Sequence, residues 1–146
     1  MEAISVYQPW ASLIALGDKT IEARAWPTKH RGELLICASA RDCPLEAGVV
    51  APGGYALAVV DLVEVRPFTR RDLDAACLGE MSRPAGFAWV LANAREIEPF
   101  AVKGRQRLFD VEPPFLRPLP GASDAFTHIE FIAALRSRQQ PQVCAG

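Results

Sequence analysis

Residues 16–32, LGDKTIEARAWPTKHRG, hold a high density of side chains that can bind a ligand or transfer a proton. Lys19, Glu22 and Arg24 bring an amine, a carboxylate and a guanidinium close together in the chain, and Trp26 follows. An amine in a desolvated pocket can lose its proton and act as a base, whereas an exposed pair is an ordinary solvated salt bridge. On their own, the residue types and their spacing are also compatible with an ordinary solvated surface.

Alternation along this stretch predicts how the side chains are presented. Residues 19–26 alternate in a way that predicts a strand with Glu22, Arg24 and Trp26 on one side and smaller or apolar residues on the other. On that side Glu22 would accept a hydrogen bond from the exocyclic amine of a base, and Arg24 would bind phosphate. Trp26 would either stack on a base or pack in the core of the domain. For Arg24, a structural salt bridge is an equally good interpretation.

Two short basic clusters stand out in a chain whose net charge is −1. One lies within residues 19–31 and the other within residues 103–107, where no acid intervenes. Such clusters suit a phosphate-bearing ligand of limited length, whereas a long duplex favours a broadly basic protein. If both lie at one rim, they form a single positive mouth, and Gly104 would allow close backbone approach. The ligand-binding residues predicted in these clusters are Lys29, Arg31, Lys103, Arg105 and Gln106.

Composition argues against several kinds of site. The four cysteines are widely spaced without a CxxC pair, and there are only two histidines, so we expect neither a metal site nor a cofactor. No apolar run approaches the roughly 18 residues of a membrane span. Glu2 stands where a secretory signal would be basic, and a cytoplasmic location without membrane contact is therefore predicted.

The remaining pattern predicts short strands with small helices. Residues 8–17 predict a helix that buries Trp10 and ends at a left-handed Gly17. Thr69 and Asp72 have the spacing of a capping box at the start of another short helix. Further strands are predicted at residues 33–39, 54–65, 87–97 and 105–111, with 54–65 the longest. Without long helices to cover two sheet faces, an α+β domain with a partly closed β-barrel fits best.

The end of the chain predicts an added helix. After a proline-rich segment, Ser123 can cap a helix over residues 124–137. Its apolar side either packs on the barrel or forms a dimer contact, so we expect a monomer or a weak dimer. The predicted organisation is a domain over residues 1–118, followed by a C-terminal helix and tail over residues 119–146.

The order of these motifs resembles the ASCH domain family, a branch of the PUA-like β-barrels. The most specific part of the resemblance is the pattern GxKxxExR, here Gly17, Lys19, Glu22 and Arg24. The similarity extends over roughly residues 3–111. Trp26, Arg31 with Gly32, and Lys103 and Gly104 with Gln106 support it in the same order. The resemblance implies a PUA-like, partly closed β-barrel with short flanking helices. It also implies a motif-lined cleft between the first helix and the sheet, and an association with RNA, nucleotides or modified nucleosides.

One branch of the family is similar to an amidohydrolase that deacetylates N4-acetylcytidine. That branch uses a lysine, a threonine three residues later and a glutamate on a later strand. Lys19 matches the lysine, Glu22 occupies the threonine position, and Asp61 in VVDLVEV is the candidate strand carboxylate. The resemblance thus implies Lys19, Glu22 and Asp61 as catalytic candidates, and the absent threonine leaves open whether the protein is an enzyme.

Three functions are therefore open. The first is binding of RNA, other single-stranded nucleic acid or a modified nucleoside in a cleft lined by Lys19, Glu22, Arg24 and Trp26. The second is deacylation of N4-acetylcytidine-like nucleosides. The third is a protein-interaction module that acts through the C-terminal helix.

Overall fold

A computed structural model describes residues 1–80, 82–119 and 124–139 of the chain. The strands are β1 (Glu2–Val6), β2 (Ile21–Arg24), β3 (Gly32–Ala38), β4 (Cys43–Pro44), β5 (Val50–Ala51), β6 (Tyr55–Pro67), β7 (Phe87–Ala101) and β8 (Phe109–Asp110). The α-helices are α1 (Trp10–Ala15) and α2 (Ala125–Gln139), and 3₁₀ turns cover Glu46–Gly48 and Arg70–Asp72.

Six of the strands form one mixed sheet in the order β2-β7-β6-β3-β1-β8, while β4 and β5 pair separately. Strands β1 and β3 are parallel, and the other neighbours are antiparallel. Within the described residues, β2 and β8 at the two ends of this order do not pair with each other. The domain is therefore α+β with a partly closed barrel, as predicted.

The centre of the sheet is buried on both faces. Because successive side chains of a strand point to opposite sides, β3 contributes to two clusters. Leu34 and Ile36 pack with Ile14 of α1 on one face, and Leu35 packs with Phe109 of β8 on the other. This arrangement fixes α1 against the sheet, next to the end of β1.

Most predicted strands are confirmed, with three differences. Strand β7, at 15 residues, is longer than β6, at 13, so the predicted longest strand was wrong. Residues 105–108 form a loop, and only Phe109–Asp110 of the predicted strand 105–111 is extended in the sheet. Strands β1, β4 and β5 were not predicted at all.

The turn at Thr69 confirms the predicted capping box and supports the start of β2. Asp72 accepts hydrogen bonds from the Thr69 amide at 2.8 Å and from two Arg66 nitrogens at 2.8 Å each. These bonds, Arg66 first, lower the pKa of Asp72 to about 2. Shortly after this turn, the carbonyl of Ala75 accepts hydrogen bonds from the amides of Thr20 and Ile21, which holds the entry to β2 in place.

The C-terminal helix packs on the domain. Ile132 of α2 belongs to the main core cluster, and Arg136 reaches Asp42 at 2.6 Å. Phe126 and Phe131 stay exposed, at 51% and 39%, so an interaction role for this helix stays a prediction, as does a dimer. The predicted cap, Ser123, lies outside the described residues. Neither α2 nor any other helix in the described part of the chain is long and apolar enough to cross a membrane.

Candidate functional site

A cavity of about 610 Å³ opens between the start of α1, strand β2 and the loop before β8. Pockets of several hundred cubic ångströms are typical of sites for small ligands. The predicted site residues that line it are Lys19, Glu22, Arg24, Trp26, Arg105 and Gln106. Residues that sequence reasoning did not assign to the site also line it, among them Ser5, Tyr7, Trp10 and Arg107.

Local structure explains how Lys19 and β2 reach this cavity. Gly17 takes the predicted left-handed conformation, with φ of +82°, and ends α1. The next two amides, those of Asp18 and Lys19, both donate to the Leu13 carbonyl, which turns the chain toward β2. Strand β2 then pairs with β7, with Glu22 opposite Trp89. Residues 22–26, which follow one another along β2 and just beyond it, all line the cavity.

Lys19 lies buried at the floor of the cavity. Its Nζ donates to the carbonyl oxygens of Ile21, at 2.8 Å, and Ala76, and lies 3.6 Å from Glu22 Oε1. Burial lowers the pKa of Lys19, while the charge of Glu22 opposes that shift. Of the three donors of an ammonium, two bond these carbonyls, and Glu22 lies at ion-pair distance, so the amine ties three neighbouring groups together.

Glu22 joins two cations into one row. Its side chain is mostly buried, and Oε2 lies 3.2 Å from Nη2 of Arg24. The same Nη2 donates to the carbonyl of Ser5 at 2.6 Å, which connects β2 to β1. Lys19, Glu22 and Arg24 therefore form a cation–anion–cation row with one net positive charge at the floor of the cavity.

Aromatic rings form the walls. Trp26 packs edge-on against Trp89, with ring centroids 4.9 Å apart, and the guanidinium of Arg107 lies 5.2 Å from the centroid of Trp26. Trp89 is fully buried. Tyr7 and Trp10 are exposed, at 62% and 37%, so the prediction that Trp10 is a core residue was wrong. Trp10 occupies the first turn of a six-residue helix, at the mouth of the cavity.

The predicted basic loops do not converge on one rim. Lys29 and Arg31 are exposed between β2 and β3 and do not line the cavity. Arg31 instead donates to the carbonyls of Thr28 and His30, at 2.8 Å each. Lys103 lines a second cavity of about 490 Å³ beside β8, and Arg105 lines both. The positive mouth is thus built from one loop, 105–107.

Asp61 also lies away from the cavity. It is part of β6 and pairs with Arg95 at 3.1 Å, while Asn93 donates to its other oxygen at 3.2 Å. Hydrogen bonding from Arg95, and then from Asn93, lowers the pKa of Asp61. Glu33 lies 3.7 Å from the same arginine. The structure therefore does not bring the predicted strand carboxylate to Lys19 and Glu22, and an exposed salt-bridge cluster holds it instead.

Two residues that line the cavity but were not predicted differ in whether the sequence could have revealed them. Arg107 lies inside the basic cluster at residues 103–107 and could have been assigned on charge alone. Ser5 gave no signal, because it reaches the cavity only through the parallel pairing of β1 with β3.

Comparison with known proteins shows the family. Residues 4–101 match the ASCH domain, and the chain belongs to the ASCH domain family, which is associated with RNA and nucleic-acid-related functions. The chain is 30% identical to Activating signal cointegrator 1 of Homo sapiens and 28% identical to that of Mus musculus, each over 131 residues. Each alignment covers 75% of this chain and 22% of the relative, so the chain spans about a fifth of the length of those proteins.

Solved structures show the same fold. An ASCH crystal structure from Zymomonas mobilis is similar with a TM-score of 0.58 and 18% identity, covering 76% of this chain and 87% of that one. A tyrosine-to-phenylalanine variant of the Zymomonas mobilis protein matches with the same TM-score and 16% identity, covering 92% and 96%. The resemblance predicted from the sequence is confirmed at the level of family and fold.

Proposed function

We propose that the cavity binds one nucleotide unit of single-stranded RNA or a free modified nucleoside, with the base inward and any phosphate at the mouth. The observation that carries the proposal is that aromatic rings and arginines line the same cavity of about 610 Å³. Aromatic faces are what unstacked bases pack on, and arginines supply phosphate contacts. A base is also small enough to reach the ion row at the floor.

The aromatic walls support stacking of a base. Contact with Trp89 holds the Trp26 ring at a fixed angle of 88° between the ring planes, so little side-chain entropy is lost when a base stacks on it. Arg107 already lies over Trp26, and a guanidinium plane is itself a stacking surface for bases. Trp10 at the mouth offers a second exposed ring. Stacking of this kind tolerates different bases, because each base has a π face.

The absence of a described carboxylate partner for the arginines at the mouth supports a phosphate contact. Arg105 and Arg107 form no salt bridge with any described residue. By contrast, Arg66, Arg95 and Arg136 each lie within 3.1 Å of an aspartate oxygen. Arg105 and Arg107 therefore lie at the cavity with charges that no described carboxylate neutralises.

Two substitutions test the binding proposal. Trp26→Leu, which keeps an apolar side chain but removes the aromatic face, is expected to weaken binding of a short single-stranded RNA about tenfold, since a base–aromatic stack is worth ~1–3 kcal/mol. Arg107→Gln is expected to weaken binding several-fold and to reduce the salt slope by about 0.7. Fluorescence anisotropy of a labelled oligonucleotide at several salt concentrations measures both effects.

The matched control for charge is Arg71→Gln. Arg71 is exposed on the 3₁₀ turn and does not line the cavity. The proposal fails if wild-type protein binds neither RNA nor nucleosides, or if Arg71→Gln weakens binding as much as Arg107→Gln.

Hydrolysis of an acylated base is a second candidate, supported by one observation. Lys19, whose pKa is lowered by burial, lies 3.6 Å from Glu22 in the cavity. However, a neutral amine would turn its lone pair toward the Glu22 carboxylate once its two remaining hydrogens served the two carbonyls. The geometry therefore favours a protonated Lys19, which is a poor base. Glu22, held between two cations, is the group left to accept a proton.

We expect no turnover of N4-acetylcytidine when purified protein is incubated with it and the products are analysed by mass spectrometry. Loss of the acetyl group that stops in folded Glu22→Gln protein would establish an amidohydrolase and would reject binding alone. Trp26→Leu serves as the companion variant, because it weakens substrate binding without changing the ion row.

A further inference from the structure

We infer that a second nucleotide of a single-stranded RNA binds in a smaller cavity, which shares Tyr7 and Trp10 with the main one and is also lined by Arg41. This inference rests on the proposed binding function, and it makes an oligonucleotide of at least two units the preferred ligand over a free nucleoside. The smaller cavity has a volume of about 270 Å³. Pockets for whole small ligands usually measure ~300–1,000 Å³, so this one suits part of a ligand that also fills the main cavity.

Two aromatic rings lie at the boundary between the cavities. Tyr7 and Trp10 line both of them, and both side chains are exposed. Their surfaces are therefore accessible to a ligand in either cavity. Unstacked bases of single-stranded nucleic acid pack on accessible aromatic side chains. Rings at a shared boundary can contact one base in the main cavity and the next base in the smaller one.

Strand pairing brings the two cavities to the same edge of the sheet. Strands β1 and β3 are parallel, and just past their ends the Ser39 amide donates to the Val6 carbonyl at 2.8 Å. The two segments thus leave the sheet side by side, and the first leads directly to Tyr7. Ser39 lines the main cavity, and residues 41–44 line the smaller one. The segment after β3 therefore runs from one cavity to the next, which makes them neighbours on one surface.

Arg41 supplies a cation for the phosphate of the second nucleotide. It is exposed and forms no salt bridge with any described residue. Asp42, which lines the same cavity, accepts hydrogen bonds from Nη1 of Arg136 at 2.6 Å and from the Gly53 amide at 2.9 Å. Because Arg136 neutralises Asp42, the cavity keeps the positive charge of Arg41. A guanidinium of this kind binds phosphate through charge-assisted hydrogen bonds.

The cavity beside β8 suits a second nucleotide less well. Among the described residues it shares Arg105 alone with the main cavity, so no aromatic ring joins the two. Two carboxylates also line it. Asp110 pairs with the amino terminus at 2.8 Å, whereas Glu112 has no salt-bridge partner in the described part of the chain. The uncompensated carboxylate of Glu112 would repel a phosphate.

Arg41→Gln tests the second subsite. Wild-type protein is expected to bind a 5′-phosphorylated uridine dinucleotide about tenfold more tightly than uridine monophosphate, the effect of one more base stacked on an aromatic ring. The substitution should weaken dinucleotide binding several-fold and reduce its salt slope by about 0.7. Binding of the monophosphate should not change. Isothermal titration calorimetry at several salt concentrations measures both ligands, and Arg71→Gln, which lines neither cavity, is the matched control.

Cys43 reports directly on occupation of the smaller cavity. It lines this cavity, and its side chain is partly exposed. At saturating ligand, the dinucleotide should slow alkylation of Cys43 by iodoacetamide, whereas uridine monophosphate should not. Cys77 is also partly exposed and lines neither the main nor the smaller cavity, so it serves as the internal control. Peptide mass spectrometry measures the two alkylation rates in the same sample.

The outcomes separate this subsite from the proposed function. If the dinucleotide and the monophosphate bind equally, or if Arg41→Gln weakens both equally, the subsite is rejected while the main cavity remains a nucleotide site. If the dinucleotide binds more tightly but neither depends on Arg41 nor protects Cys43, the second nucleotide lies elsewhere and the inference is overturned. If wild-type protein binds no nucleoside, nucleotide or RNA, the proposed function fails as well.

Discussion

Lys19→Ala is expected to lower the free energy of unfolding by about 3 kcal/mol, because Lys19 is a buried cation that other buried groups depend on. Its removal leaves the carbonyls of Ile21 and Ala76 without a donor and takes one of two cations from Glu22. Each unsatisfied buried acceptor costs ~1–3 kcal/mol. The amine also links β2 to the segment that follows the turn Arg70–Asp72, so the entry to β2 should loosen.

Urea unfolding at neutral pH measures this effect, with Lys29→Ala as the matched control. Lys29 is exposed in the loop after β2, and its substitution should change stability by no more than about 0.5 kcal/mol. Lys19→Met separates charge from packing, since it keeps an apolar stem but provides no hydrogen-bond donor. Most of the loss of stability expected for Lys19→Ala should also occur in Lys19→Met. Equal urea midpoints for Lys19→Ala and Lys29→Ala would show that the buried contacts of Lys19 contribute little.

This expected loss of stability changes how activity data on Lys19 must be interpreted. An inactive Lys19→Ala protein is equally consistent with a catalytic base and with a collapsed cavity floor. Glu22→Gln keeps the shape of the side chain, so it is the better variant for testing proton transfer.

The local part of the site could be predicted from the sequence, because it depends on periodicity alone. Alternation in residues 19–26 is enough to place Glu22, Arg24 and Trp26 on one side of β2, and a glycine after a short apolar helix is enough to place Gly17 at its end. These features depend on neighbours within a few positions. The family pattern added the order of the motifs and agreed with the partly closed barrel that the strand pattern indicated.

The rest of the site depends on contacts between distant segments. Ser5 faces the cavity because β1 pairs in parallel with β3, about 30 residues later, and a short pattern cannot reveal that register. Residues 105–108 have the composition of a strand but form a loop over β1. The same loop leaves Trp10 at a cavity mouth, although helical spacing predicts a core residue. Asp61 lies away from the cavity because β6 runs between β3 and β7, where Asp61 is opposite Glu33 and Ala92 and its side chain forms an ion pair with Arg95.

The protein is expected to lose about 3 kcal/mol of stability as the pH falls from 6.5 to 4, because of one buried histidine on α2. His128 is fully buried, and neither ring nitrogen has a partner among the described residues. Burial lowers its pKa from 6.5 to about 4, and a tenfold change in a protonation equilibrium corresponds to about 1.4 kcal/mol. Between these two values the unfolded chain binds the proton more tightly than the folded protein does. The stability is therefore complete above pH 6.5 and is lost as the pH falls through the folded value.

Protonation of carboxylates should change the stability of the protein in a separate, lower pH range. The pKa of Asp72 falls from 3.8 to about 2 on folding, so its contribution is lost only below pH 3.8. Urea unfolding at a series of pH values from 7.5 down to 4 therefore isolates the histidine. His128→Leu, which fills the buried position without a titrating group, should flatten stability across this range. A flat profile for the wild-type protein, or a slope that survives in His128→Leu, would contradict this assignment. A confirmed slope would mean that protonation of His128 weakens the packing of α2, whose Ile132 contributes to the main core.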